Sequence, residues 1–218
     1  MEVRKINEKD YDLILQLDKK VYPTSSPVTK KIISQWYQNN PEFGFVFENK
    51  EKMTGICVAI PLNKKGWKQL IFGKLAESEL DSKTIFNNNR DSEIGIHIYH
   101  REKFNFKESK FYEKSLKQIA EIIANLRLKN PKLKIIGFSR LAVTEQGISL
   151  LYNKLNYRER GFINTEHIIQ KQGKLEIINT PSKEELIKKL NQGYEYKNRC
   201  KMLVLYPNEP SIVWNYLG

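Results

Sequence analysis

The chain has 218 residues, enough for one domain with a sizeable core. Hydrophobic residues make up 40% and charged residues 28% of it, which is typical of a soluble globular protein. No apolar run approaches the roughly 20 residues that a membrane span needs, so we expect no membrane partner. Cys57 and Cys200 lack metal-ligand spacing, so we expect a cytoplasmic protein with neither a disulfide framework nor a metal site.

The formal net charge of +12 favours anionic partners such as nucleotides, phosphorylated cofactors or RNA. The lysines are nevertheless spread over the whole chain and interleaved with glutamates. No block of about five like charges occurs, as would mark a basic tail. We therefore interpret the charge as a lysine-rich solvated surface and do not favour nucleic acid as the partner.

The first half of the chain is predicted to form a strand, two helices and a β-hairpin. Asn7 or Asp10 caps the first helix, and the prolines and hydroxyl residues of 22–27 break it. The polar residues 49–52 form the turn of the hairpin. The predicted elements are a strand at 2–6, a helix ending near residue 21, a helix at 29–38, and strands at 43–48 and 53–62.

The second half begins with a longer excursion over residues 63–90, which contains a short amphipathic helix and an acidic patch around residues 77–81. Strict alternation then predicts a strand at 93–99, with its isoleucines on one face and Glu93, His97 and Tyr99 on the other. The later predicted elements are a helix at 108–129, a strand at 134–142, a helix at 145–155, strands at 162–170 and 174–178, a helix at 182–191, and a strand at 200–206.

Tyr152 lies in the last turn of the helix that follows the strand at 134–142. Thr144 is a natural N-cap for this helix. A tyrosine there can direct its hydroxyl over the carboxyl end of the preceding strand, where open α/β sheets bind ligands. With a pKa of about 10 it is protonated at neutral pH and can donate a proton, although a core tyrosine with its hydroxyl at the surface is the commoner arrangement.

The element order and the segment Leu151-Tyr-Asn-Lys-Leu-Asn-Tyr157 resemble the GNAT superfamily of acyl-CoA-dependent N-acetyltransferases. The segment is similar to the family signature L-Y-x-K-L-G-F, with Asn156 at the usual glycine and Tyr157 at the usual phenylalanine. The resemblance covers about residues 2–170. It implies an α/β (α+β) fold whose mixed, mostly antiparallel sheet of about seven strands is flanked by helices and splayed between strands 4 and 5. We expect residues 1–170 to form the GNAT-like domain, and residues 171–218 to be a C-terminal extension that completes it or packs on it.

The resemblance implies transfer of an acetyl group from acetyl-CoA to a primary amine of a small molecule or peptide. The general acid of the family maps onto Tyr152, and its general base maps onto Glu93. An attacking amine must lose a proton and the departing thiolate must be protonated or stabilised, so the pair suits the chemistry. His97 shares the face of Glu93 and, with an ordinary pKa of about 6.5, is the substitute base.

The family's pyrophosphate loop is the part that differs most from this sequence. The matching segment, residues 101–116, contains no glycine, and it places Lys107, Lys110 and Tyr112 at the three motif positions. Phosphates can still bind at the N-terminus of the following helix, near these lysines. The resemblance therefore implies that acetyl-CoA contacts Ile98, Tyr99, Lys107, Lys110 and Tyr112.

The amine acceptor is expected between the first two helices and the later strands, with Tyr22, Thr24 and Ser25 lining its site. Two alternatives stay open. The missing glycines favour a GNAT-fold protein with lost or altered acyl-donor binding, such as a non-catalytic binding module. The other alternative, an acetyltransferase that acts on an RNA-linked substrate, is supported only by the +12 charge. A homodimer is also left open.

Overall fold

The computed structural model describes residues 2–22, 27–50, 52–104, 110–160, 162, 165–179 and 181–217. Within these residues the helices are α1 Tyr11–Val21, α2 Lys30–Tyr37, α3 Lys64–Ile71, α4 Phe111–Lys129, α5 Glu145–Ser149 and α6 Lys183–Asn191. The strands are β1 Glu2–Lys5, β2 Gly44–Asn49, β3 Lys52–Asn63, β4 Glu93–Lys103, β5 Lys134–Ala142, β6 Glu166–Lys171, β7 Lys174–Asn179, β8 Glu195–Arg199 and β9 Lys201–Leu205.

Side-chain caps fix where four of the helices begin. The side-chain oxygens of Thr29, Asn63, Thr144 and Ser182 accept hydrogen bonds from backbone N–H groups in the first turns of α2, α3, α5 and α6, at 3.3, 2.8, 3.1 and 3.1 Å. Each cap satisfies a backbone donor that has no partner inside the helix. The cap that was predicted for α5 at Thr144 thus coincides with the observed helix start.

Six strands form the main sheet in the order β1-β2-β3-β4-β5-β9. The β4–β5 pair is parallel, and the other neighbours are antiparallel. A second sheet has the order β7-β6-β8. The predicted mixed, mostly antiparallel sheet flanked by helices is therefore confirmed, with part of the C-terminal β-structure in a sheet of its own.

The main sheet splays open between β4 and β5, as predicted. Their pairing ends where His97 lies opposite Ser139. Among the described residues 98–103 and 140–142, no further β4–β5 pair occurs, and each strand continues with its other neighbour, β3 or β9. The gap therefore lies beside the carboxyl-terminal halves of both strands, where open α/β sheets bind ligands.

A β-bulge in β4 sits at the mouth of this gap. Ile98 pairs with Ala59 and His100 pairs with Val58, so Tyr99 is the extra residue on β4. A bulge bends its strand and changes the direction in which the local side chains point. Tyr99 therefore has no directly opposite partner on β3.

Trp67 of α3 packs directly on two glycines at the closed end of the β4–β5 pair. A Cβ atom at Gly95 would come within 2.2 Å of Trp67 Cγ, and one at Gly137 within 2.5 Å of Trp67 Cη2. Gly137 also has a φ of 154°. Only glycine fits at these two paired positions, so both strands admit the indole ring closely against the sheet.

Two elements differ from the sequence prediction. Strand β8 was not predicted, because residues 195–199 are polar and lack an apolar alternation. The helix predicted over 145–155 is α-helical only to Ser149 and continues as a π-helical turn, Leu150–Lys154. The expected domain division at residue 170 stays a prediction, and β9 beyond it pairs with β5 in the main sheet. No described helix is both long and apolar enough to cross a bilayer.

Candidate functional site

The gap between β4 and β5 forms a cavity of about 560 Å³, which we call the arginine cleft. Its walls come from the carboxyl-terminal half of β4, the end of β5, the first residues of α4, and α5. The cations on its walls include Arg101, Lys103 and Arg140. Three carboxylates also line the cleft, those of Asp18, Glu77 and Glu102, so the two arginines and the lysine give it a positive part rather than a positive charge throughout.

Two arginines of the cleft lie close together without a carboxylate partner among the described residues. Burial and the charge of Arg101 lower the pKa of Arg140 to about 10. The Arg101 guanidinium lies 3.8 Å from the ring centroid of Tyr112. The cleft carboxylate Glu102 is hydrogen-bonded to His100 at 3.0 Å, and this bond lowers the pKa of its carboxyl group. Two neighbouring guanidinium groups that lack counter-charges form a site for an anion.

The N-terminus of α4 opens on the same cleft. Phe111 and Tyr112, the first residues of the helix, line it. Lys110 at the N-cap position has a left-handed conformation with φ 61°, and its side chain does not cap the helix. The first turn, which the Lys110 side chain does not cap, brings backbone N–H groups and the positive end of the helix dipole to the cleft that Phe111 and Tyr112 line. Phosphate groups bind at helix ends of this kind.

A second cavity, of about 450 Å³, adjoins the cleft, and we call it the acidic chamber. Four carboxylates line it, from Asp18, Glu77, Glu79 and Glu166, together with a single lysine among the described residues, Lys74. Apolar walls complete the chamber. The two cavities share five lining residues, which form their junction: Asp18, Tyr22, Glu77, Tyr99 and Leu141.

Hydrogen-bonded phenols and carboxylates cluster at this junction. The pKa of Asp18 is raised to about 6, mainly by burial; a hydrogen bond from Tyr99 lowers it, and the nearby charge of Glu77 raises it. Tyr22 donates a hydrogen bond to Glu166. Burial also raises the pKa values of Tyr22 and Tyr99 well above the ordinary value for tyrosine. Both phenols therefore carry their protons throughout the physiological pH range.

Glu77 is attached to a buried hydrogen-bond chain. His97 Nε2 lies 2.6 Å from Glu77 Oε1, and His97 Nδ1 lies 2.9 Å from Ser139 Oγ. Trp67 Nε1 donates to the same hydroxyl at 2.9 Å. His97 and Ser139 are fully buried, whereas Glu77 keeps 13% of its side chain exposed, at the chamber. This hydrogen-bond chain thus ends in a carboxylate that can reach a ligand.

Glu93, the base implied by the family resemblance, lies apart from both cavities. It begins β4 at the closed end of the β4–β5 pair, opposite Lys134. Its carboxylate accepts two hydrogen bonds from Lys64, at 2.9 and 3.0 Å. It does not occur among the described residues that line the cleft or the chamber. The four residue steps from Glu93 to His97 separate it from the splay by about 13 Å of strand.

Tyr152, the implied general acid, also lies outside both cavities. It belongs to the π-helical turn, and its ring faces the ammonium group of Lys201 at 5.3 Å and the guanidinium group of Arg158 at 5.9 Å. It lines a separate open cavity together with His167 and Tyr196. Among the described residues of this helix, Leu150 lines the cleft instead.

The other predicted site residues fall into three groups. Tyr22, Tyr99 and Tyr112 line the cleft, and the first two reach the junction. Ile98 is buried in the core, and Lys110 is exposed beside the cleft. The predicted site residues Thr24, Ser25 and Lys107 lie outside the described part of the chain.

Sequence reasoning missed the charged residues that define the site. Arg140 lies two residues before the end of a predicted strand, and an arginine near the carboxyl end of a strand beside the splay was an available signal. Glu77 stands in the acidic patch of the excursion, but its approach to His97 is a tertiary contact that no periodicity reports. Among the described residues, no group of three or more His, Cys, Asp or Glu side chains can hold a metal ion.

No family model and no curated protein matches the chain. Among solved structures, Arabidopsis thaliana Naa50 in complex with a bisubstrate analogue, CoA-Ac-MVNAL, has a TM-score of 0.50 at 8% identity, over 94% of this chain and 97% of that one. Arabidopsis thaliana NAA60 in complex with acetyl-CoA has a TM-score of 0.49 at 9% identity, over 95% and 99%.

A shorter match is the GphF GNAT-like decarboxylase in complex with isobutyryl-CoA, with a TM-score of 0.44 at 13% identity. The match covers 65% of this chain and 65% of that one. The fold likeness rests on the match to Naa50, which spans nearly the whole of both chains. Together with the β4–β5 splay and the bulge at Tyr99, it identifies the architecture. The chain has the fold of the GNAT superfamily.

Proposed function

We propose that this protein is an acyl-CoA-dependent N-acetyltransferase that transfers an acetyl group to a primary amine of a small molecule or peptide. One observation carries the proposal: an arginine-lined cleft opens, at a shared junction, into a chamber lined by carboxylates. The cleft suits an anionic donor, and the chamber suits a cationic acceptor. The junction is where the two substrates can meet.

The cleft residues fit the phosphate groups of coenzyme A. Arg101 and Arg140 offer two guanidinium groups, and the first turn of α4, which Lys110 does not cap, offers backbone N–H groups. These side chains take the place of the glycine loop that the sequence lacks. When bound, acetyl-CoA supplies an acetyl thioester, and the protein supplies binding, orientation and proton transfer.

We assign the general base to Glu77 in place of Glu93. Aliphatic amines arrive protonated at neutral pH, and such an amine must lose a proton before it can attack a carbonyl carbon. Glu77 reaches both cavities, and its carboxylate can accept that proton at the junction. Asp18 supports the same step, since a second carboxylate attracts the ammonium group to this point.

We assign the proton donor to Tyr99 in place of Tyr152. Tyr99 lines both cavities and stays protonated because burial raises its pKa. When the carbon–sulfur bond breaks, the departing thiolate needs a proton, and a phenol at the junction can deliver it. Asp18, which is hydrogen-bonded to Tyr99 and has a pKa of about 6, can take up the proton that Glu77 accepted from the amine and return it to the phenol.

Binding and turnover test the proposal separately. Acetyl-CoA, coenzyme A and a longer acyl-CoA are each expected to raise the melting temperature, because a ligand that binds only the native state stabilises it. Release of free thiol from acetyl-CoA is then followed with alkyl amines, alkyl diamines, peptides with free N-termini, and aminoacyl-tRNA as acceptors. Stabilisation without thiol release for any acceptor supports the non-catalytic binding module, and no stabilisation by any acyl-CoA contradicts the proposal.

A further inference from the structure

We infer that His97 is a positioning residue, which holds the Glu77 carboxylate at the junction through a directed hydrogen-bond chain from Trp67 and Ser139. The inference rests on the proposed function, in which Glu77 is the base. It assigns a role to three buried polar groups that no step of the proposed reaction uses. It also converts His97 from a substitute base into a group that acts through Glu77.

The chemistry of the donors sets the direction of the chain. The indole nitrogen of Trp67 can only donate, so Ser139 Oγ accepts its hydrogen bond at 2.9 Å. The hydroxyl hydrogen of Ser139 is then available for His97 Nδ1, also at 2.9 Å. An imidazole that accepts at Nδ1 is the neutral tautomer with its hydrogen on Nε2. His97 therefore donates from Nε2 to Glu77 Oε1, at 2.6 Å.

The opposite direction would leave a buried polar hydrogen without a partner. If His97 were an imidazolium, its Nδ1 would donate to Ser139, and the serine hydroxyl would accept two bonds and give none. Ser139 is fully buried, and among the described residues its hydroxyl has only His97 and Trp67 as partners. An unsatisfied buried hydroxyl is unfavourable. The arrangement thus selects the neutral Nε2–H form.

The backbone holds the hydrogen-bond chain of Trp67, Ser139 and His97 rigidly. His97 and Ser139 are directly opposite each other in the last parallel pair before the splay. Trp67 is held against Gly95 and Gly137, where no larger residue fits. All three polar groups of the chain lie in this closely packed layer, which leaves their rotamers little freedom.

Glu77, in contrast, lies on a short 3-10 turn, Glu77–Glu79, outside the main sheet. Among the described residues, His97 is the side chain to which its carboxylate is hydrogen-bonded. A hydrogen bond from a fixed donor therefore transmits the rigidity of the sheet to a carboxylate on a connecting segment. Such preorganisation matters because small misplacements of a catalytic group slow the reaction strongly.

Kinetics of matched variants test the positioning role. Ser139→Ala removes the donor to Nδ1, and we expect kcat to fall roughly tenfold while the acceptor KM changes less than about twofold. His97→Leu removes the donor to Glu77, with an expected fall in kcat of roughly 100-fold. His97→Gln keeps an N–H donor that can reach Glu77, and it is expected to recover most of that loss.

Thr54→Val serves as the control, because it also removes a buried hydroxyl. Thr54 Oγ1 donates to the Phe47 carbonyl oxygen at 3.1 Å, and Thr54 is 5% exposed. It lies in the β2–β3 hairpin and, among the described lining residues, belongs to neither cavity. We expect it to lower stability without changing kcat. An equal fall in kcat in Thr54→Val and Ser139→Ala would overturn the positioning role.

Nitrogen-15 NMR of the imidazole tests the chain independently of turnover. The expected spectrum at neutral pH is that of the neutral Nε2–H tautomer in the wild type, with loss of this tautomer preference in Ser139→Ala. An imidazolium or an Nδ1–H tautomer in the wild type would overturn the inferred direction. A wild type without transferase activity overturns the proposed function, whereas the nitrogen spectrum still decides whether the hydrogen-bond chain exists.

Discussion

The arginine cleft and the acidic chamber adjoin each other, yet they are built in different ways. The cleft follows from backbone geometry, since β4 and β5 part after His97 and the first residues of α4 line one side. The chamber follows from segments far apart in the sequence, namely α1, the excursion after α3, and the start of β6. The cleft is therefore a property of the fold, whereas the chamber is a property of this chain.

The charge of the acidic chamber differs in sign from the net charge of the chain. The chain carries a net charge of +12, but the acidic chamber has four carboxylates and a single lysine among its described lining residues. A global surplus of lysine thus says nothing about the sign of an individual site. An electrostatic interpretation has to be made cavity by cavity, because field and burial act locally.

Glu77, the proposed base, lies at the junction of the two cavities, and Glu77→Gln is expected to have the largest effect on turnover. The amide keeps the size of the side chain but cannot accept the amine proton. We expect kcat to fall roughly 10²- to 10⁴-fold, the usual contribution of a general base. Steady-state kinetics at saturating acetyl-CoA measures the change, and circular dichroism verifies that the variant is folded.

Glu93→Gln is the matched control for this variant, because it makes the same change on the residue that the resemblance implied as the base. Glu93 is engaged with Lys64 and lies at the closed end of the strand pair. We expect its kcat to stay within about twofold of the wild type, since an exposed ion pair contributes little. If instead Glu93→Gln lost turnover and Glu77→Gln kept it, the base would not lie at the junction.

Asp18 at the junction should make stability depend on pH. Its carboxyl pKa is raised from 3.8 to about 6 when the protein folds. Below about pH 4 the Asp18 carboxyl group is protonated in both the folded and the unfolded state, so it does not change the free energy of unfolding. Between about pH 4 and 6 the folded state loses stability as the pH rises. Above about pH 6 the loss in free energy of unfolding is complete, at up to about 3 kcal/mol. We expect Asp18→Asn to remove this loss of stability.

Urea unfolding at pH 3.5 and pH 7.5 measures this effect. Asp18→Asn should be more stable than the wild type at pH 7.5 and equal to it at pH 3.5. Asp12→Asn is the control on the same helix, because Asp12 is exposed and ion-paired with Lys30. A stability gain that is the same at both pH values would show that Asp18 does not titrate in this window.

On the cleft side, Arg140→Gln tests the anion site. Loss of a charge-assisted hydrogen bond to a phosphate should raise the Kd for coenzyme A by roughly tenfold, as measured by calorimetry. Folding should not suffer, because burial and Arg101 already disfavour the charge of Arg140. Arg90→Gln is the control, since Arg90 pairs with Asp91 in a surface turn. Equal affinity in both variants would remove Arg140 from the phosphate site.

The fold was largely predictable from the sequence because its signals are local. Alternation in residues 93–99, the Thr144 cap and the helical spacing of α4 fixed the order of the central elements. Strand β8 was not predicted because its residues are polar and pair with β6 at the edge of a small sheet. The π-helical turn was not predicted because helical periodicity does not distinguish it from an α-helix.

The candidate site was predictable only in part. His97, Tyr99 and Tyr112 were selected on the correct elements, and their roles stay predictions. Glu77 was not selected, because its contact with His97 spans 20 residues and crosses from a connecting turn to a buried strand. The family resemblance implied Glu93 as the base instead. The hydrogen bond between Glu93 and Lys64 is a tertiary contact that the sequence does not show.

The smallest expected effect concerns Tyr152, the residue that the sequence motif favoured as general acid. Its ring packs beside Lys201 and Arg158, and it belongs to a cavity separate from the cleft and the chamber. If the junction is where transfer occurs, Tyr152→Phe should change kcat less than about twofold, because general acid catalysis requires a donor within hydrogen-bond reach. Thiol-release kinetics measures this change.

Tyr99→Phe is the matched comparison, since it removes the same hydroxyl from a residue at the junction. We expect it to lower kcat by roughly 100-fold. The reverse result, with Tyr152→Phe inactive and Tyr99→Phe active, would place the departing thiolate near the π-helical turn. The junction between cleft and chamber would then not be the site of transfer, and the family motif would locate the acid better than the cavities do.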